Sequence, residues 1–385
     1  MPQRARGDAL SALEKYGEAM EAYRHAISLN AGDAQAHNGL ADVLHAMNRF
    51  AEAVGEYASA VSLAPGLPAF GNSLGLELRK VGKPAQAEAA LQAAIAVTGS
   101  SAALLRDRGY VHANRQDWVK AQISFEQAIR IDKMDGASFS GLGNALLNQG
   151  EYGESAAAYR QAISLMPQST WVYNAWGDML SLLGREDEAR EVFERATTTS
   201  SKLSQDWRER GYAYASLRRP DAAAKAFEAA SRLNSFDAEI FYQWGAALLE
   251  MRKPTEALKR WERALELDPD LSYVALAAGD VESDLKHRAK ADEYHQRCVA
   301  RALKDASGLR AQAKCLGRLG STSAALSKFA DAAKADPRGV WIRLDWGDFL
   351  RSLNLPKEAA EQYRAALRIY PGNPQARAAL DALGL

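Results

Sequence analysis

Small residues recur at a spacing of 34 along this chain of 385 residues. A fixed period of this length is typical of a tandem array in which each short segment packs mainly against its neighbours. We therefore expect one continuous array, although the length alone would favour two or three separate domains. Ten alanines and one serine occupy these comb positions, with no insertion or deletion between them: Ala19, Ala53, Ala87, Ala121, Ser155, Ala189, Ala223, Ala257, Ala291, Ala325 and Ala359.

Within one period the apolar residues form two helical stripes. In the second period one stripe covers residues 40–47 and the other covers 50–61, and Asn48 and Arg49 interrupt them. Pro65 and Gly66 follow the second stripe, and such residues commonly end a helix. Each period is therefore predicted to be a helix hairpin with a tight turn.

Two further columns predict how the paired helices cross. Twelve residues before the comb position, nine periods carry glycine and two carry alanine. Glycine inside a helix costs about 0.5–1 kcal/mol relative to alanine, so its repetition implies a close helix crossing. Four residues after the comb position, nine periods carry an aromatic ring, which we expect to fill the space beside the glycine.

The pattern resembles the tetratricopeptide repeat, whose signature places Trp, Leu-Gly, Tyr, Ala, Phe, Ala and Pro at set offsets. Tyr159, Ala162 and Pro167, followed by Trp176 and Gly177, match that signature. The resemblance implies an all-α fold, a right-handed α-solenoid superhelix of stacked helix-turn-helix repeats. We expect eleven repeats over 1–373, the first lacking its opening turn, and a C-terminal capping helix over 374–385.

In that family the first helix of each hairpin lines a concave surface, which usually binds an extended peptide or a partner helix. Asparagine can pair with a peptide backbone, arginine can fork onto a carboxylate, and tyrosine supplies contact area. The resemblance therefore implies these partner-binding residues: Asn38, Asp42, Asn72, Arg106, Tyr110, Asn144, Asn174, Asp178, Arg208, Tyr212, Tyr242, Asp280, Arg310, Lys314 and Asp348.

The charges on these residues favour a protein partner. Arg310, Lys314 and Arg318 form one basic stripe, with Asp280 before it and Asp348 after it. Alternating charge of this kind suits a protein or peptide of mixed charge. Lysine plus arginine equals aspartate plus glutamate, at 48 each, so we expect no nucleic-acid partner. The alternative is that these charges are solvated or form salt bridges between adjacent repeats.

A longer period, three times the first, overlies the comb. The segment beginning at Arg106 recurs at Arg208, and Arg310 follows at the same interval. Duplication of a three-repeat block explains this period, and the alternative is a ligand contacted at every third repeat.

No phosphate-binding loop, nucleophile elbow or HExxH motif is present, so we predict no enzyme and no cofactor. His295, Cys298 and Cys315 could ligate zinc, but His295 and Cys298 occupy core columns and a fourth ligand is missing, so we predict no metal. Two cysteines provide no disulfide framework and favour a reducing compartment. With no export signal and no long apolar run, we expect a cytoplasmic protein without membrane insertion. An excised periplasmic domain would look the same.

The sequence therefore predicts a non-enzymatic scaffold that binds a peptide or partner protein on its concave face. One alternative is a self-assembling structural protein that associates through its terminal repeats. Another is the repeat arm of a larger enzyme or of a bacterial secretion or polysaccharide-export assembly.

Overall fold

A computed structural model describes residues 2–199, 203–303 and 305–384. All regular structure in these residues is α-helical, and it comprises 23 helices. In chain order they are α1 Pro2–Ala12, α2 Tyr16–Leu29, α3 Ala34–Ala46, α4 Phe50–Leu63, α5 Pro68–Lys80, α6 Pro84–Thr98, α7 Ala102–Asn114, α8 Trp118–Ile131, α9 Gly136–Gln149, α10 Tyr152–Leu165, α11 Thr170–Leu182, α12 Glu186–Thr198, α13 Ser204–Ser216, α14 Pro220–Leu233, α15 Ala238–Glu250, α16 Pro254–Leu267, α17 Ser272–Asp284, α18 Arg288–Val299, α19 Ala306–Arg318, α20 Thr322–Ala335, α21 Val340–Ser352, α22 Pro356–Ile369 and α23 Pro374–Asp381.

The chain divides into two compact units. Unit 1 contains Met1–Trp176, Val192–Arg210 and Ala229–Asp237, and unit 2 contains Gly177–Glu191, Gly211–Glu228 and Ala238–Leu385. In unit 1 each odd-numbered helix from α1 to α9 packs on the helix that follows it, and in unit 2 the pairs from α15 to α22 do the same. We number the repeats from 1, which contains Ala19, to 11, which contains Ala359. The division into eleven repeats and a cap remains our interpretation.

Every hairpin turn has a residue with left-handed backbone conformation at the same position of the repeat. The residue five before each comb position has a positive φ in all eleven repeats, as at Asn48 (58°) and Gly150 (88°). Around Asn48 the N–H of Arg49 donates to the carbonyl of Leu44 at 2.8 Å, which is the six-to-one bond of a Schellman motif. This turn ends the first helix and begins the second within a few residues.

The predicted close crossing is confirmed in the core. A Cβ atom placed on Gly347 would lie 2.5 Å from the Tyr363 ring, and one on Gly109 would lie 2.7 Å from the Phe125 ring. The comb residue Ala359 is fully buried beside Tyr363. The glycine column therefore makes room for the ring that lies between the two helices.

The last helix, α23, covers apolar residues of repeat 11. The Asn373 side chain caps it by accepting from the N–H of Ala376 at 2.8 Å. Ala376 and Leu380 are buried in one cluster with Tyr363 and Tyr370. None of the helices described is both long and apolar enough to cross a lipid bilayer.

The two cysteines, which we expected to provide no disulfide framework, are joined. Cys298 on α18 and Cys315 on α19 form a disulfide with a Cα–Cα distance of 6.4 Å, and both are buried. The core position of Cys298 was predicted correctly, but the columns do not show that the end of one repeat faces the first helix of the next, where Cys315 lies. The sulfurs are therefore not free to bind zinc, and the inference of a reducing compartment, which assumed unpaired cysteines, loses its basis.

Candidate functional site

The predicted site residues all lie on first helices, from α3 to α21. They occupy two columns of the repeat, the column of Asn38 and the column of Asp42, one helical turn apart. We call these two columns together the first-helix face. The internal partners of these side chains decide which of them are available to a ligand.

Two of the predicted arginines are held by the start of the next repeat. Arg106 Nη1 lies 3.2 Å from Asp135, and Arg208 Nη1 lies 2.7 Å from Asp237. Asp135 precedes α9 and also caps it, accepting from the N–H of Ser138 at 3.2 Å. The aspartate follows the arginine at a sequence separation of 29 in both pairs, so each pair connects one hairpin to the next.

The pKa of Arg106 is consistent with an ion pair that stabilises the fold. Although burial lowers the pKa of Arg106, the carboxylates of Asp107 and Asp135 outweigh burial and raise that pKa. The same geometry recurs three repeats earlier, where Arg4 and Asp33 are 3.2 Å apart. At Arg4, Arg106 and Arg208 the three-repeat period of the sequence therefore coincides with an ion pair between adjacent repeats.

The basic stripe predicted at repeat 10 is also neutralised. Arg310 Nε and Lys314 Nζ lie 3.5 and 3.3 Å from Asp345, which is on the next first helix. Arg318 Nε lies 2.8 Å from Asp280 on the preceding first helix. These charges form salt bridges between adjacent repeats, which was the alternative interpretation of the stripe.

Three of the predicted aspartates pair with a side chain in the ring column of their own repeat, which is the position four residues after the comb position. Tyr57 donates its hydroxyl to Asp42 at 2.6 Å, and Tyr363 donates to Asp348 at 2.7 Å. Each ring follows its aspartate at a sequence separation of 15. In the equivalent pair of repeat 9, His295 Nε2 lies 3.3 Å from Asp280.

Burial raises the pKa of Asp42, and the Tyr57 hydroxyl only partly offsets that rise. Asp280 behaves differently, because hydrogen bonding to His295 and Arg318 outweighs burial and lowers its pKa. Both carboxylates therefore already have partners within the chain.

Repeat 6 departs from this pairing. Phe193 occupies the ring position there and cannot donate, and Asp178 instead accepts from the Tyr212 hydroxyl at 2.7 Å. Within unit 1, Asn174 Nδ2 donates to the Glu209 carbonyl at 2.9 Å.

The remaining predicted residues outside repeats 2 and 3 have local contacts. Tyr110 donates to the Ala137 carbonyl at 3.1 Å, and Asn144 Oδ1 accepts from Asn148 at 2.8 Å. The ring of Tyr242 packs edge-on against Tyr273, with centroids 4.8 Å apart.

Among the described residues, buried asparagine oxygens on the first-helix face of unit 1 have unused hydrogen-bonding capacity in repeats 2, 3 and 6. In repeat 6 this atom is Asn174 Oδ1, although Asn174 Nδ2 is bonded to Glu209. The Oδ1 atoms of Asn38 and Asn72 are buried and have no hydrogen-bond partner in the part of the chain that the structure describes. Both asparagines belong to the Asn38 column, so they occupy equivalent sites on adjacent first helices. Native structures rarely leave such atoms unpaired, and a bound water or ligand usually explains an exception.

Two cations on α5, the helix that carries Asn72, were not predicted from the sequence. Arg79 donates from Nη1 to Asn114 at 3.1 Å and lies over the Tyr110 ring, while its Nε is buried without a partner. Lys80 Nζ lies 3.1 Å from His45. Neither cation forms a salt bridge among the described residues. Both lie outside the two columns of the first-helix face, and only those columns were predicted to bind a partner.

A buried acid lies on the same helix as these cations. Glu77 is 1% exposed and occupies a column that is apolar in the other repeats. His45 Nδ1 lies 2.5 Å from one of its oxygens, and the other oxygen has no partner among the described residues. Burial lowers the pKa of Lys80 and of Arg79. The Glu77 carboxylate partly opposes this at Lys80, and Tyr110, Asp107 and Glu77 partly oppose it at Arg79. An acid in an apolar column was a sequence signal that could have identified this cluster.

Protein-family comparisons agree with the geometry. Models of the tetratricopeptide repeat match residues 72–136, 310–374, 137–169 and 238–271, and a further model described as a TPR repeat matches 7–48. A comparison with curated protein sequences finds no significant match.

Solved structures of similar architecture cover nearly the whole chain. The crystal structure of the yeast Tom70 matches 100% of this chain and 95% of that chain, at 15% identity and a TM-score of 0.51. The human IFIT1 dimer with m7Gppp-AAAA matches 88% of this chain and 90% of that chain, at 16% identity and a TM-score of 0.52. Likeness at this identity shows the fold alone, and it confirms the predicted all-α solenoid of helix hairpins.

Proposed function

Since this chain belongs to the tetratricopeptide repeat family, we propose that it is a non-enzymatic scaffold that binds a protein or peptide on the concave face of its first helices. The proposal rests on the buried, unpartnered Oδ1 atoms of Asn38 and Asn72, which lie on the consecutive first helices of repeats 2 and 3. An unsatisfied buried acceptor costs about 1–3 kcal/mol, and a partner that donates an N–H removes that cost.

Internal pairing supports repeats 2–4 as the anchor of the site. At Arg106, Arg208 and Arg310 the charges already have carboxylate partners. A ligand that used those arginines would have to displace a carboxylate first. At Asn38 and Asn72, by contrast, a ligand gains hydrogen bonds without breaking any that Oδ1 already makes.

The neighbouring groups indicate the chemistry of the bound segment. A peptide backbone supplies N–H donors to the two Asn oxygens, and an acidic side chain supplies a carboxylate to Arg79 and Lys80. Tyr110 adds apolar contact area beside Arg79. The proposed partner is therefore a segment of mixed polar character that carries at least one acidic residue.

Peptide selection against the whole chain tests this site. A display library of random peptides is selected on the immobilised protein, and the dissociation constants of the enriched peptides are measured for Asn72→Ala and Arg79→Gln. We expect each variant to weaken binding by about tenfold, the loss of one or two hydrogen bonds to a charged or buried group.

Asn144→Ala is the matched control. Asn144 lies on the same face, but its Oδ1 is already bonded to Asn148, so the variant should bind the peptides as the parent chain does. Equal weakening by Asn144→Ala and Asn72→Ala, or selection of peptides indifferent to all three variants, would remove the assigned site.

A further inference from the structure

A groove on repeat 11 collects three arginines. It has a volume of about 260 Å³ and is lined by Arg343 from α21 and by Glu361, Gln362, Arg364, Ala365 and Arg368 from α22. All of these residues belong to unit 2, and none occupies a column of the first-helix face. The groove is therefore separate from the proposed peptide site.

Arg343 is held in place by uncharged neighbours. Its Nη1 donates to Gln362 Oε1 at 3.0 Å, and its guanidinium lies 5.8 Å from the centroid of the Trp346 ring. Its Nε is buried and has no hydrogen-bond partner in the described parts of the chain. These contacts fix the side chain in one orientation and leave a donor unused.

Among the residues that the structure describes, none of the three guanidinium groups has a carboxylate partner. None of Arg343, Arg364 and Arg368 forms a salt bridge within the described ranges, although Glu361 lines the same groove. Burial and the positive charge of Arg368 both lower the pKa of Arg343, and no carboxylate opposes them. The local field is therefore positive, unlike that around Arg106 or Arg208.

The other ten repeats provide an internal comparison. Each of the three arginines defines a column. The equivalent residues of that column in the other repeats are separated from the arginine by multiples of 34 residues. No other repeat carries more than one lysine or arginine in these three columns; repeat 5, for example, has only Arg160 there. The cluster is thus a departure of repeat 11 from the array, and packing of the hairpin does not require it.

We propose that this groove binds a phosphate group, either free or as a phosphate monoester. Guanidinium forks match the oxygen geometry of phosphate and form short, charge-assisted hydrogen bonds. A phosphate monoester carries close to two negative charges at neutral pH. A dianion neutralises more of the three positive charges than a single carboxylate would, despite the negative charge of Glu361.

Calorimetric titration of the full chain tests the proposal. Inorganic phosphate, a short phosphoserine peptide and the unphosphorylated peptide are titrated separately at constant ionic strength. We expect saturable binding of inorganic phosphate and no binding of the unphosphorylated peptide. Tighter binding of the phosphopeptide than of inorganic phosphate would assign the group to a modified protein segment, and equal or weaker binding would assign it to the free anion.

Two variants and one control locate the site. Arg343→Gln and Arg368→Gln should each weaken phosphate binding by about tenfold, since hydrogen bonds to charged groups are strong. Arg368 makes no side-chain hydrogen bond among the described residues, so its variant should keep the parent melting temperature even where Arg343→Gln does not. Arg160→Gln is the control, because Arg160 is exposed and occupies the Arg364 column in repeat 5. Absence of saturable phosphate binding, or equal weakening by the control, would overturn the proposal.

Discussion

Replacing Arg106 by alanine tests whether the arginines that recur at every third repeat hold the array together. Arg106 Nη1 contacts both oxygens of Asp135, at 3.3 and 3.2 Å. The side chains are 27% and 8% exposed, so the pair is only partly screened by water. Exposed ion pairs contribute about 0.2–1 kcal/mol to stability, and hydrogen bonds to charged groups contribute about 1.5–3 kcal/mol. We therefore expect Arg106→Ala to lower the free energy of unfolding by about 1 kcal/mol.

Asp135 contributes more than Arg106 because it has two roles. Removing an aspartate that caps a helix costs about 1 kcal/mol, so Asp135→Ala should lower the free energy of unfolding by about 2 kcal/mol in total. In the double variant the two losses should not add, because they share one ion pair. The coupling free energy from this double-mutant cycle gives the contribution of the Arg106–Asp135 ion pair separately from that of the Asp135 helix cap.

Arg310→Ala is the matched control, because Gly339 stands where the capping aspartate would lie and no capping pair exists. Asp345 keeps Lys314 as a partner when Arg310 is removed, so the loss should stay below about 0.5 kcal/mol. Urea denaturation followed by circular dichroism gives the midpoints, and hydrogen exchange at the start of α9 tests for local opening. Equal midpoint shifts for Arg106→Ala and Arg310→Ala, or no coupling to Asp135, would refute the capping role and favour a ligand contacted at every third repeat.

Three further outcomes follow from the structure. Reducing the Cys298–Cys315 disulfide, whose sequence separation is 17, should lower the free energy of unfolding by about 3 kcal/mol, seen as an earlier urea midpoint; an unchanged midpoint would contradict a native bond. Burial raises the pKa of Asp42 above its ordinary value, so the favourable contribution of Asp42 to the free energy of unfolding is complete below the unfolded pKa and is lost as pH rises through the folded pKa. Asp42→Asn should therefore be more stable than the parent chain at neutral pH, but not in acid below the unfolded pKa. A stability difference that does not change with pH would contradict this. Gly245→Ala would place a Cβ against the Trp261 indole and should cost about 1–3 kcal/mol by thermal denaturation, a loss that an unstrained crossing would not show.

The fold could be predicted because its determinants are local and repeated. The stripe predicted over 50–61 lies within α4, Phe50–Leu63, and the break at Asn48 and Arg49 became the turn. The left-handed residue in that turn was not predicted, because glycine fills the position in only four of the eleven repeats. Glu14 and Gln116 adopt the same conformation because the hairpin geometry imposes it, at a cost that packing offsets.

The site was harder to predict because a side chain is available to a ligand only if no other residue of the chain already pairs with it. The sequence placed Asp42 and Asp348 on a ligand-facing surface, but a single column does not show what each carboxylate contacts. Compared across columns, aspartate in the Asp42 column accompanies tyrosine or histidine in the ring column in four repeats. Arginine in the Asn38 column is followed by aspartate just before the next first helix in three repeats. Both pairings were readable from the sequence. The disulfide was not, because its spacing has no second example in the chain.

Regularity and exception carry different information in a repeated chain. A contact present in many repeats, such as a ring beside a glycine, serves the stacking that all repeats share. A residue that breaks its column has to be explained by something local. Glu77 breaks an apolar column on the same helix as the unpartnered Asn72, and Arg343 begins a cluster that no other repeat has. Both exceptions leave charge or hydrogen-bonding capacity that the array itself does not satisfy, which is why the two proposed binding sites lie there and not at the arginines that recur at every third repeat.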